Sequence, residues 1–366
     1  MSAGSRESDQ SDSGNTEIAT EGERRVARMK EELGVAIIGC GAISPLHAKA
    51  ITGIAGVKLL TVADTNIHKA AIMGEEYACQ AIDDYRHILK DDRIDIVHLC
   101  TPHYLHASMA IELLRAGKHV LTEKPMAVDL PSAYRMIEAA QQSTGQLGVV
   151  FQNRYNEASI YIKKATESET YGRLLCMKGV VTWHRNESYY RDSDWRGRWS
   201  TEGGGALINQ TIHTLDLLQW FGGEVASVKG RISTDVLHGV IEVEDTAHAC
   251  IEFNSKVRGL FYGTNTYLTN SPVELELVYE EGVLNLRRDH VYLWKDGRET
   301  LLCKPKNLTM KGKEYWGTGH QRLIEDFYCH IRNRQRFWLD GTEGIKVLEL
   351  IAGIYRSSQS NISTPQ

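Results

Sequence analysis

The chain has 366 residues, more than one typical domain, and its 42% apolar and 24% charged residues are typical of a water-soluble globular protein. Its 42 Lys and Arg residues against 47 Asp and Glu residues give a formal net charge of −5. This balance argues against a nucleic-acid partner, because such binding depends on neutralising phosphates. No apolar run approaches the roughly 20 residues that span a bilayer, so we expect no membrane partner.

The cysteine pattern and the N-terminal composition both bear on the protein's location. None of the seven cysteines forms a CxxC pair, and most lie in apolar runs. Reduced core thiols are therefore a better interpretation than disulfides, and we expect a cytoplasmic protein. The first 28 residues are rich in Ser, Glu, Asp and Gly, which predicts a disordered leader over residues 1–30 without the apolar core of a secretory signal.

Residues 31–151 alternate between short β-rich runs and helical patterns. The runs show little polar alternation, as expected for strands covered on both faces. Strand–helix alternation of this kind predicts a doubly wound parallel sheet built from right-handed βαβ units, as in a Rossmann domain. The runs are Val35–Ile38, Val57–Ala63, Ile94–Cys100, His119–Leu121 and Leu147–Phe151.

Residues 152–358 follow a different pattern and predict an α+β domain packed directly on the first. A helical stretch, a long β run, a polar aromatic-rich loop and a strong helical pattern come first. Six β runs with short Gly- and Asp-containing links then indicate an antiparallel sheet, and two helices follow before a tail over residues 359–366. In order, the segments are 157–166, 174–184, 185–201, 204–221, 225–233, 245–253, 257–265, 273–278, 283–286, 291–294, 320–332 and 342–357.

A glycine-containing turn follows the first strand. Gly39 permits a tight turn, Gly41 lets the backbone approach a pyrophosphate, and the next helix directs its N-terminal N–H groups at the phosphates. Ser44 replaces the third glycine of the usual fingerprint and is small enough to keep helix and strand close. A GxG turn alone is a weak signal, so the prediction that Gly39, Gly41, Ala42 and Ile43 bind a dinucleotide depends on its context.

Asp64 supplies part of that context. It ends the second strand 23 residues after Gly41, where a carboxylate can accept hydrogen bonds from both adenosine ribose hydroxyls. Capping of the next helix is the alternative. Because Asp64 would repel a 2′-phosphate and Thr65 and Asn66 supply no cation, we expect NAD rather than NADP as cofactor.

Polar residues also follow the later strands, where a doubly wound sheet has its ligand crevice. A lysine at such a strand end is poorly placed for a structural role, although a solvated surface lysine remains the alternative. We expect cofactor contacts from these residues. They are Thr101, Pro102, His103, His106, Glu123, Lys124 and Gln152.

The helical pattern over residues 204–221 carries a second polar group. Asn209 and His213 are four residues apart, so on a helix they share one face, and Gln210 lies beside them. A lone helical histidine is usually a core or surface residue, but one that follows Asn209 and three glycines is more suggestive of a site. No Cys/His set has zinc spacing, so we expect no metal.

Five segments together resemble the glucose–fructose oxidoreductase / inositol dehydrogenase / rhizopine catabolism (Gfo/Idh/MocA) oxidoreductases. Each is weak alone, but their order and spacing over residues 34–358 are specific. They are GCGAIS followed by His47, TPHYLH, EKP, GGGALINQTIHTLDLLQW and VEDTAHACIEF. The resemblance implies an N-terminal Rossmann domain and a C-terminal domain with an open, mainly antiparallel sheet that often makes oligomer contacts, so we expect a dimer or tetramer.

The resemblance also implies that Lys124 and His213 form a catalytic pair. The WRGRW and INQTIH segments look most like the branch that acts on glycosides and nucleotide sugars, including enzymes that oxidise the hydroxyl on carbon 3. Many relatives carry Asp where this chain has Asn209, and an amide cannot act as a base. We therefore expect neutral His213 to take the hydroxyl proton, Lys124 to stabilise the developing alkoxide, and Asn209 to orient the substrate or the histidine ring.

An aromatic and basic loop is a candidate substrate rim. Aromatic faces can cover a sugar ring and arginines can hold a carboxylate or phosphate, although a packed loop or subunit contact explains the same residues equally well. Arg196 and Arg198 together would suit an anionic sugar. The substrate contacts that we expect are Arg154, Tyr155, Trp195, Arg196, Trp199, Asn209, Gln210 and His213.

These features predict an NAD-dependent oxidoreductase that moves a hydride between nicotinamide and a secondary hydroxyl of a sugar. Three alternatives remain open. An NAD-dependent glycosidase would oxidise its substrate transiently and then cleave it, a keto-sugar reductase would run the same site in reverse, and a regulator would bind dinucleotide without catalysis. Intact Lys124 and His213 argue against the regulator.

Overall fold

The computed structural model describes Met1, residues 32–305 and residues 319–360. Apart from Met1, the predicted leader lies outside the described residues, as do residues 361–366 of the predicted tail. Residues 359 and 360 belong to the last helix, which is longer than its sequence pattern indicated. Within the described ranges, no helix is long and apolar enough to cross a membrane.

The first sheet is parallel throughout, as predicted. Its strands are β1 (Leu33–Ile38), β2 (Val57–Ala63), β3 (Gln80–Ile82), β4 (Ile96–Leu99), β5 (His119–Thr122) and β6 (Leu147–Val149). The spatial order is β3-β2-β1-β4-β5-β6, so the strand order reverses between β1 and β4, and the ligand crevice of such a sheet lies beyond their carboxyl ends. β1 is buried along its whole length, which explains its lack of polar alternation.

Helices connect these strands and separate them in sequence. They are α1 (Ser44–Thr52), α2 (Ile67–Glu76), α3 (Arg86–Leu89), α4 (His103–Arg115) and α5 (Leu130–Gln141). Parallel neighbours need such crossovers because a tight hairpin can join only antiparallel strands. The predicted α/β alternation is therefore confirmed, with β3 added at the sheet edge.

The second sheet is mainly antiparallel. Its strands are β7 (Leu174–Thr182), β8 (Val225–Ser233), β9 (Thr246–Phe253), β10 (Arg258–Thr264), β11 (Glu274–Tyr279), β12 (Gly282–Arg287), β13 (His290–Lys295) and β14 (Arg298–Cys303). They lie in the order β14-β13-β12-β11-β7-β10-β9-β8, and the β7–β10 pair is parallel. Buried and exposed residues alternate along β10, because one face of the sheet is packed and the other faces solvent.

The remaining helices join the two sheets. A 3₁₀ helix (Gln152–Tyr155) follows β6, and its successors are α6 (Glu157–Glu167), α7 (Glu187–Arg191), α8 (Trp199–Glu202), α9 (Ile212–Gly222), α10 (Gly319–Arg332) and α11 (Gly341–Ser360). α10 packs back against α1 and the 3₁₀ helix, and α11 packs on both β8 and α5. The end of the chain therefore fastens the second sheet to the first.

The helix predicted over residues 204–221 is shorter than expected. α9 begins at Ile212, and residues 203–211 form bends and turns. The Glu244 carboxylate accepts hydrogen bonds from the N–H groups of Gly205 and Leu207 and holds this loop outside the helix. Asn209 therefore lies in a loop, and the expectation that it shares a helix face with His213 is wrong.

Arg154 is a structural cation in the core. Its side chain is fully buried, and it donates to both oxygens of Asp216 in α9, at 2.9 and 2.7 Å, and to Glu343 in α11 at 2.8 Å. The two carboxylates lie on different helices and accept the hydrogen bonds that the guanidinium can donate. The structure therefore corrects the expectation that Arg154 lines the substrate rim.

Replacing Arg154 with Leu should lower the free energy of unfolding by about 3–5 kcal/mol, because it leaves Asp216 buried without its cation. Urea denaturation followed by circular dichroism measures this change. Arg173→Leu is the matched control, because the Arg173–Glu280 pair lies at the surface and its loss should change the stability much less. Equal losses in the two variants would contradict this role of Arg154.

Candidate active site

The turn after β1 leaves room for a ligand. Gly39 has a φ of +93°, and a Cβ there would lie 2.6 Å from the Cys100 carbonyl oxygen, so glycine is required. At Gly41 an added Cβ would meet nothing within 4 Å, and Ala42 beside it is exposed. Ile43 precedes α1 without a side-chain cap, which leaves the helix N-terminus open to an anion.

Asp64 lies beside this turn. Its Oδ2 accepts from the Cys40 N–H and its Oδ1 from the Asn66 N–H, both at 2.8 Å. Asn66, rather than Asp64, caps α2 by accepting from the His68 N–H, so the capping alternative for Asp64 is wrong. A carboxylate offers about four lone pairs, and the half-buried Asp64 keeps acceptor capacity for a ribose. The turn and this carboxylate together fit a dinucleotide.

Lys124 links the two parts of the chain. It follows β5, and its Nζ donates to the Asn209 carbonyl oxygen at 2.8 Å and to Asn209 Oδ1 at 3.4 Å. Burial lowers the pKa of Lys124, the charges of Glu123 and Glu202 oppose that change, and Arg196 adds to it. The ammonium is thus held in place by one loop and balanced by two carboxylates.

His213 lies at the same end of the first sheet. Its Nε2 is 3.3 Å from Nε2 of Gln152, which follows β6, the neighbour of β5. Burial, followed by the charge of Lys124, holds the pKa of His213 well below 6.5, so the ring is neutral at pH 7. Within the described chain, His213 Nδ1 and Gln152 Oε1 are buried without a hydrogen-bond partner, as expected of groups that contact a ligand.

A buried cluster of Glu123, His47 and His320 lies beside Lys124. Glu123 Oε1 is 3.0 Å from His47 Nε2 and 3.7 Å from His320 Nε2, and Glu123 Oε2 accepts from the Lys124 N–H at 3.2 Å. Burial alone would raise the pKa of Glu123, but hydrogen bonds from His320 and His47 hold it well below its usual range. Glu123 therefore fixes the backbone at Lys124.

The same three residues also offer ligand atoms within 4.8 Å of one another, a spacing at which a metal ion could be held. The sequence analysis missed this cluster because its members lie far apart in the chain. The 3.0 Å contact between His47 and Glu123 already satisfies both as a hydrogen bond, which is how we interpret the cluster.

The residues after β4 divide into two groups. Thr101 Oγ1 is buried without a partner within the described chain, so it is placed as a ligand-facing hydroxyl would be, and Pro102 precedes α4 as its N-cap. The two ring nitrogens of His106 face the carbonyl oxygens of Pro125 and Thr101, at 2.7 and 2.8 Å. His106 thus holds two loops together, which corrects the expectation of a cofactor contact.

The rim loop meets this end of the molecule through Trp195 and Arg196. The Trp195 ring lies 4.5 Å from the ring of buried His103. The Arg196 guanidinium lies 4.4 Å from the Tyr189 ring centroid and 4.9 Å from that of Trp195, and its Nε is buried without a partner among the described residues. Its positive charge contributes to the lowered pKa of Lys124, so the two side chains lie near each other. Arg196 is therefore placed to bind an anionic group beside Lys124.

Three other expected substrate contacts are engaged in packing. Their polar atoms already have protein partners, so for them the packed-loop alternative is the better interpretation. They are Trp199, with Glu242 and Tyr355; Gln210, with Tyr189 and Asn265; and Tyr155, with Asp326.

Glu202 is a further polar residue that the sequence analysis missed. It is fully buried at the end of α8, where Oε1 accepts from Asn209 Nδ2 at 2.6 Å and Oε2 accepts from the Gly197 N–H. Burial raises the pKa of Glu202 to about 7. The one signal in the sequence was an acidic residue directly before three glycines.

Comparisons with known proteins agree with this architecture. The family model described as an oxidoreductase family with an NAD-binding Rossmann fold (Gfo/Idh/MocA) matches residues 33–151. The model of the Gfo/Idh/MocA C-terminal domain matches residues 160–285.

Individual relatives give the same result. A D-glucoside 3-dehydrogenase from Escherichia coli is 25% identical over 91% of this chain and 97% of its own length. An inositol 2-dehydrogenase from Rubrobacter xylanophilus is 29% identical over 52% of each chain, so the match spans about half of that relative. The crystal structure of the WlbA dehydrogenase from Bordetella pertussis, in complex with NADH and UDP-GlcNAcA, is 29% identical, covers 90% of this chain and 97% of its own, and has a TM-score of 0.80.

The coupling between Lys124 and His213 can be tested without any ligand. His213 should titrate well below pH 6.5, and Lys124→Met should raise its pKa, because removing a nearby positive charge favours the protonated ring. Histidine C–H resonances followed by NMR measure the titration, with His213→Gln for assignment. Lys58→Met removes an exposed charge on β2 and serves as the control. An unchanged titration in Lys124→Met would contradict the proximity of the two side chains.

Proposed function

Because the chain belongs to the Gfo/Idh/MocA oxidoreductase family, with its NAD-binding Rossmann domain, we propose that it transfers a hydride between NAD and a secondary hydroxyl of a sugar, glycoside or nucleotide sugar, at carbon 3. The observation that carries this proposal is that Lys124 follows β5 while neutral His213 lies against Gln152 after β6, close enough for the Lys124 charge to lower the pKa of the ring. The D-glucoside 3-dehydrogenase and the UDP-GlcNAcA-bound WlbA dehydrogenase among its relatives support the substrate class.

The crevice residues divide the work of holding NAD, which supplies the hydride acceptor or donor. The backbone around Gly41 would hold the pyrophosphate and Asp64 the adenosine ribose. Thr101 and Gln152, each with a buried unpartnered oxygen, would contact the rest of the cofactor. The Asp64 carboxylate favours NAD over NADP because it repels a 2′-phosphate.

Lys124 and His213 would act on the substrate oxygen. At pH 7 the neutral His213 ring has a nitrogen lone pair that can take the hydroxyl proton as the carbon-bound hydride leaves. The Lys124 ammonium would donate a hydrogen bond to the same oxygen and stabilise its negative charge in the transition state. The hydrogen bonds to Asn209 position Nζ for this role. The reverse reaction would reduce a keto sugar at the same site.

Arg196 would bind an anionic part of the substrate. Its guanidinium is stacked on two aromatic rings, which fixes its plane, and its buried Nε lacks a partner within the described residues. A planar donor of this kind suits a carboxylate or phosphate. This supports a sugar acid or nucleotide sugar over a neutral monosaccharide.

The free thiols support a reducing location. Cys176, Cys250 and Cys329 are free cysteines that are exposed to solvent. Exposed thiols persist where the glutathione and thioredoxin systems keep them reduced. We therefore propose a cytoplasmic location.

A panel of sugars, glycosides and nucleotide sugars, each with NAD or NADP, tests the function. We expect reduction of NAD with an anionic member of the panel, and NMR of the product should locate a carbonyl at carbon 3. Aglycone release without NADH accumulation would instead indicate a glycosidase.

The variant Lys124→Ala should retain dinucleotide binding and lose turnover by about 100-fold or more, because a preorganised donor is removed. NADH fluorescence measures the binding and absorbance the turnover. Lys163→Ala is the control, since Lys163 pairs with Glu167 on α6. Wild-type turnover in Lys124→Ala would refute the assignment.

We also propose that two copies associate through the solvent face of the second sheet. Leu260 and Tyr262 on β10 are 52% and 41% exposed although β10 lies inside the sheet. Exposed apolar side chains on a broad sheet favour contact with an equivalent face. Leu260→Arg should shift the molar mass from light scattering towards the monomer, with Val236→Arg, in an exposed loop, as control; a monomeric wild type would contradict this assembly.

A further inference from the structure

Glu202 lies between the rim loop and the proposed catalytic lysine. Its Oε1 accepts from Asn209 Nδ2 at 2.6 Å, and the Asn209 oxygens accept from Lys124 Nζ. We propose that Glu202 is a positioning residue, which orients the Asn209 amide so that its oxygen faces Lys124. This inference rests on the proposed function of Lys124.

The orientation follows from donors and acceptors. An ionised carboxylate only accepts hydrogen bonds, so the NH₂ group of Asn209 must face Glu202. Oδ1 then faces Lys124 Nζ at 3.4 Å. If the amide were reversed, its NH₂ group would face an ammonium, and two donors would meet. The carboxylate thereby selects the orientation in which the lysine is held.

Glu202 also ties the rim to this arrangement. Its Oε2 accepts from the Gly197 N–H, one residue beyond Arg196, and its backbone oxygen lies 2.9 Å from His103 Nδ1. Its charge opposes the effect of burial on Lys124 and favours the ammonium form. One carboxylate therefore affects both the position of the rim and the protonation of Lys124.

Titration of Glu202 gives this device a pH dependence. Burial raises the pKa of Glu202 to about 7, while hydrogen bonds from Gly197 and Asn209 lower it. As the pH falls through this value the carboxyl gains a proton, becomes a donor and no longer selects the amide orientation. The titratable and charged groups around it are Glu244, Arg196, Lys124, Tyr190 and Tyr355.

The first test is Glu202→Gln. The new amide has one accepting oxygen for two donors, the Gly197 N–H and Asn209 Nδ2, so either one donor is lost or the Asn209 amide reverses against Lys124. We expect kcat to fall by about 10- to 100-fold, as for a displaced catalytic group, with the affinity for NADH unchanged. The pKa of Lys124 should fall below its wild-type value.

The double variant Glu202→Gln with Asn209→Asp exchanges donor and acceptor. The new amide oxygen can accept from the Gly197 N–H and its NH₂ group can donate to the new carboxylate, whose second oxygen faces Lys124. All partners are satisfied again, so kcat should recover at least tenfold over Glu202→Gln, on the same order as the loss. Asn209→Asp alone keeps Glu202 and places two carboxylates together, so its kcat should not exceed that of the wild type.

Lysine NMR separates this inference from the proposed function. Selective ¹³Cε-lysine labelling, assigned with Lys124→Arg, reports the Lys124 titration without substrate. Asp289→Asn is the matched control, because it removes a partly buried carboxyl with a raised pKa that contacts Asn156 instead. Its kcat and its Lys124 titration should equal those of the wild type.

Two results overturn the inference: wild-type kcat and Lys124 titration in Glu202→Gln, or a double variant no better than that single variant. If no panel member is turned over while the Lys124 titration changes as expected, the proposed function fails and the coupling of Glu202 to Lys124 stands.

Discussion

The contact between the Lys124 ammonium and Asn209 is the constraint on which the candidate site depends. It joins the end of β5 to the loop before α9, so it fixes one sheet relative to the other at the crevice. The buried pair of Arg154 and Asp216 ties the 3₁₀ helix to α9, the helix that carries His213 three residues before Asp216. The loop at Asn209 thus fixes Lys124, and the 3₁₀ helix fixes the helix of His213, so the two side chains are held relative to each other.

The two proposed catalytic groups share a buried environment but differ in the charges around them. Burial lowers the pKa of both Lys124 and His213, but two carboxylates, Glu123 and Glu202, oppose the effect at Lys124, whereas Glu123 alone opposes it at His213. The ammonium charge then helps to keep His213 neutral. The same buried environment therefore contains the hydrogen-bond donor and the base that our proposal assigns to the removal of a proton from an alcohol.

Local patterns in the sequence were enough to predict much of the fold and part of the candidate site. Apolar runs mark β1 and β2 because those strands are buried, and the turn at Gly39 and the carboxylate of Asp64 follow them at fixed positions. By contrast, β14 is largely exposed and has no regular alternation of apolar and polar residues, so it was not predicted. The start of α9 was misplaced because Glu244, which lies 37 positions after Leu207, shapes the preceding loop.

The roles of single polar residues were the least predictable. Arginine is a residue type that often contacts ligands, but Arg154 is a cation of the core. Its carboxylate partners come from helices that are distant in the sequence. Glu202 is an ordinary acidic residue in the sequence and becomes informative only when Asn209 is seen beside it. Such partnerships arise from tertiary packing, which spacing along the chain does not encode.

The parallel pair of β7 and β10 has a consequence for how the nascent chain acquires its shape. β7 ends at Thr182 and meets β10, whose last residue is Thr264, so a long stretch must leave the ribosome before β7 gains this neighbour. The rim and the glycine loop are synthesised in that interval, ahead of Glu244 and β10. The first sheet can therefore fold early. The rim and the glycine loop beside its crevice can take their final positions only later in translation.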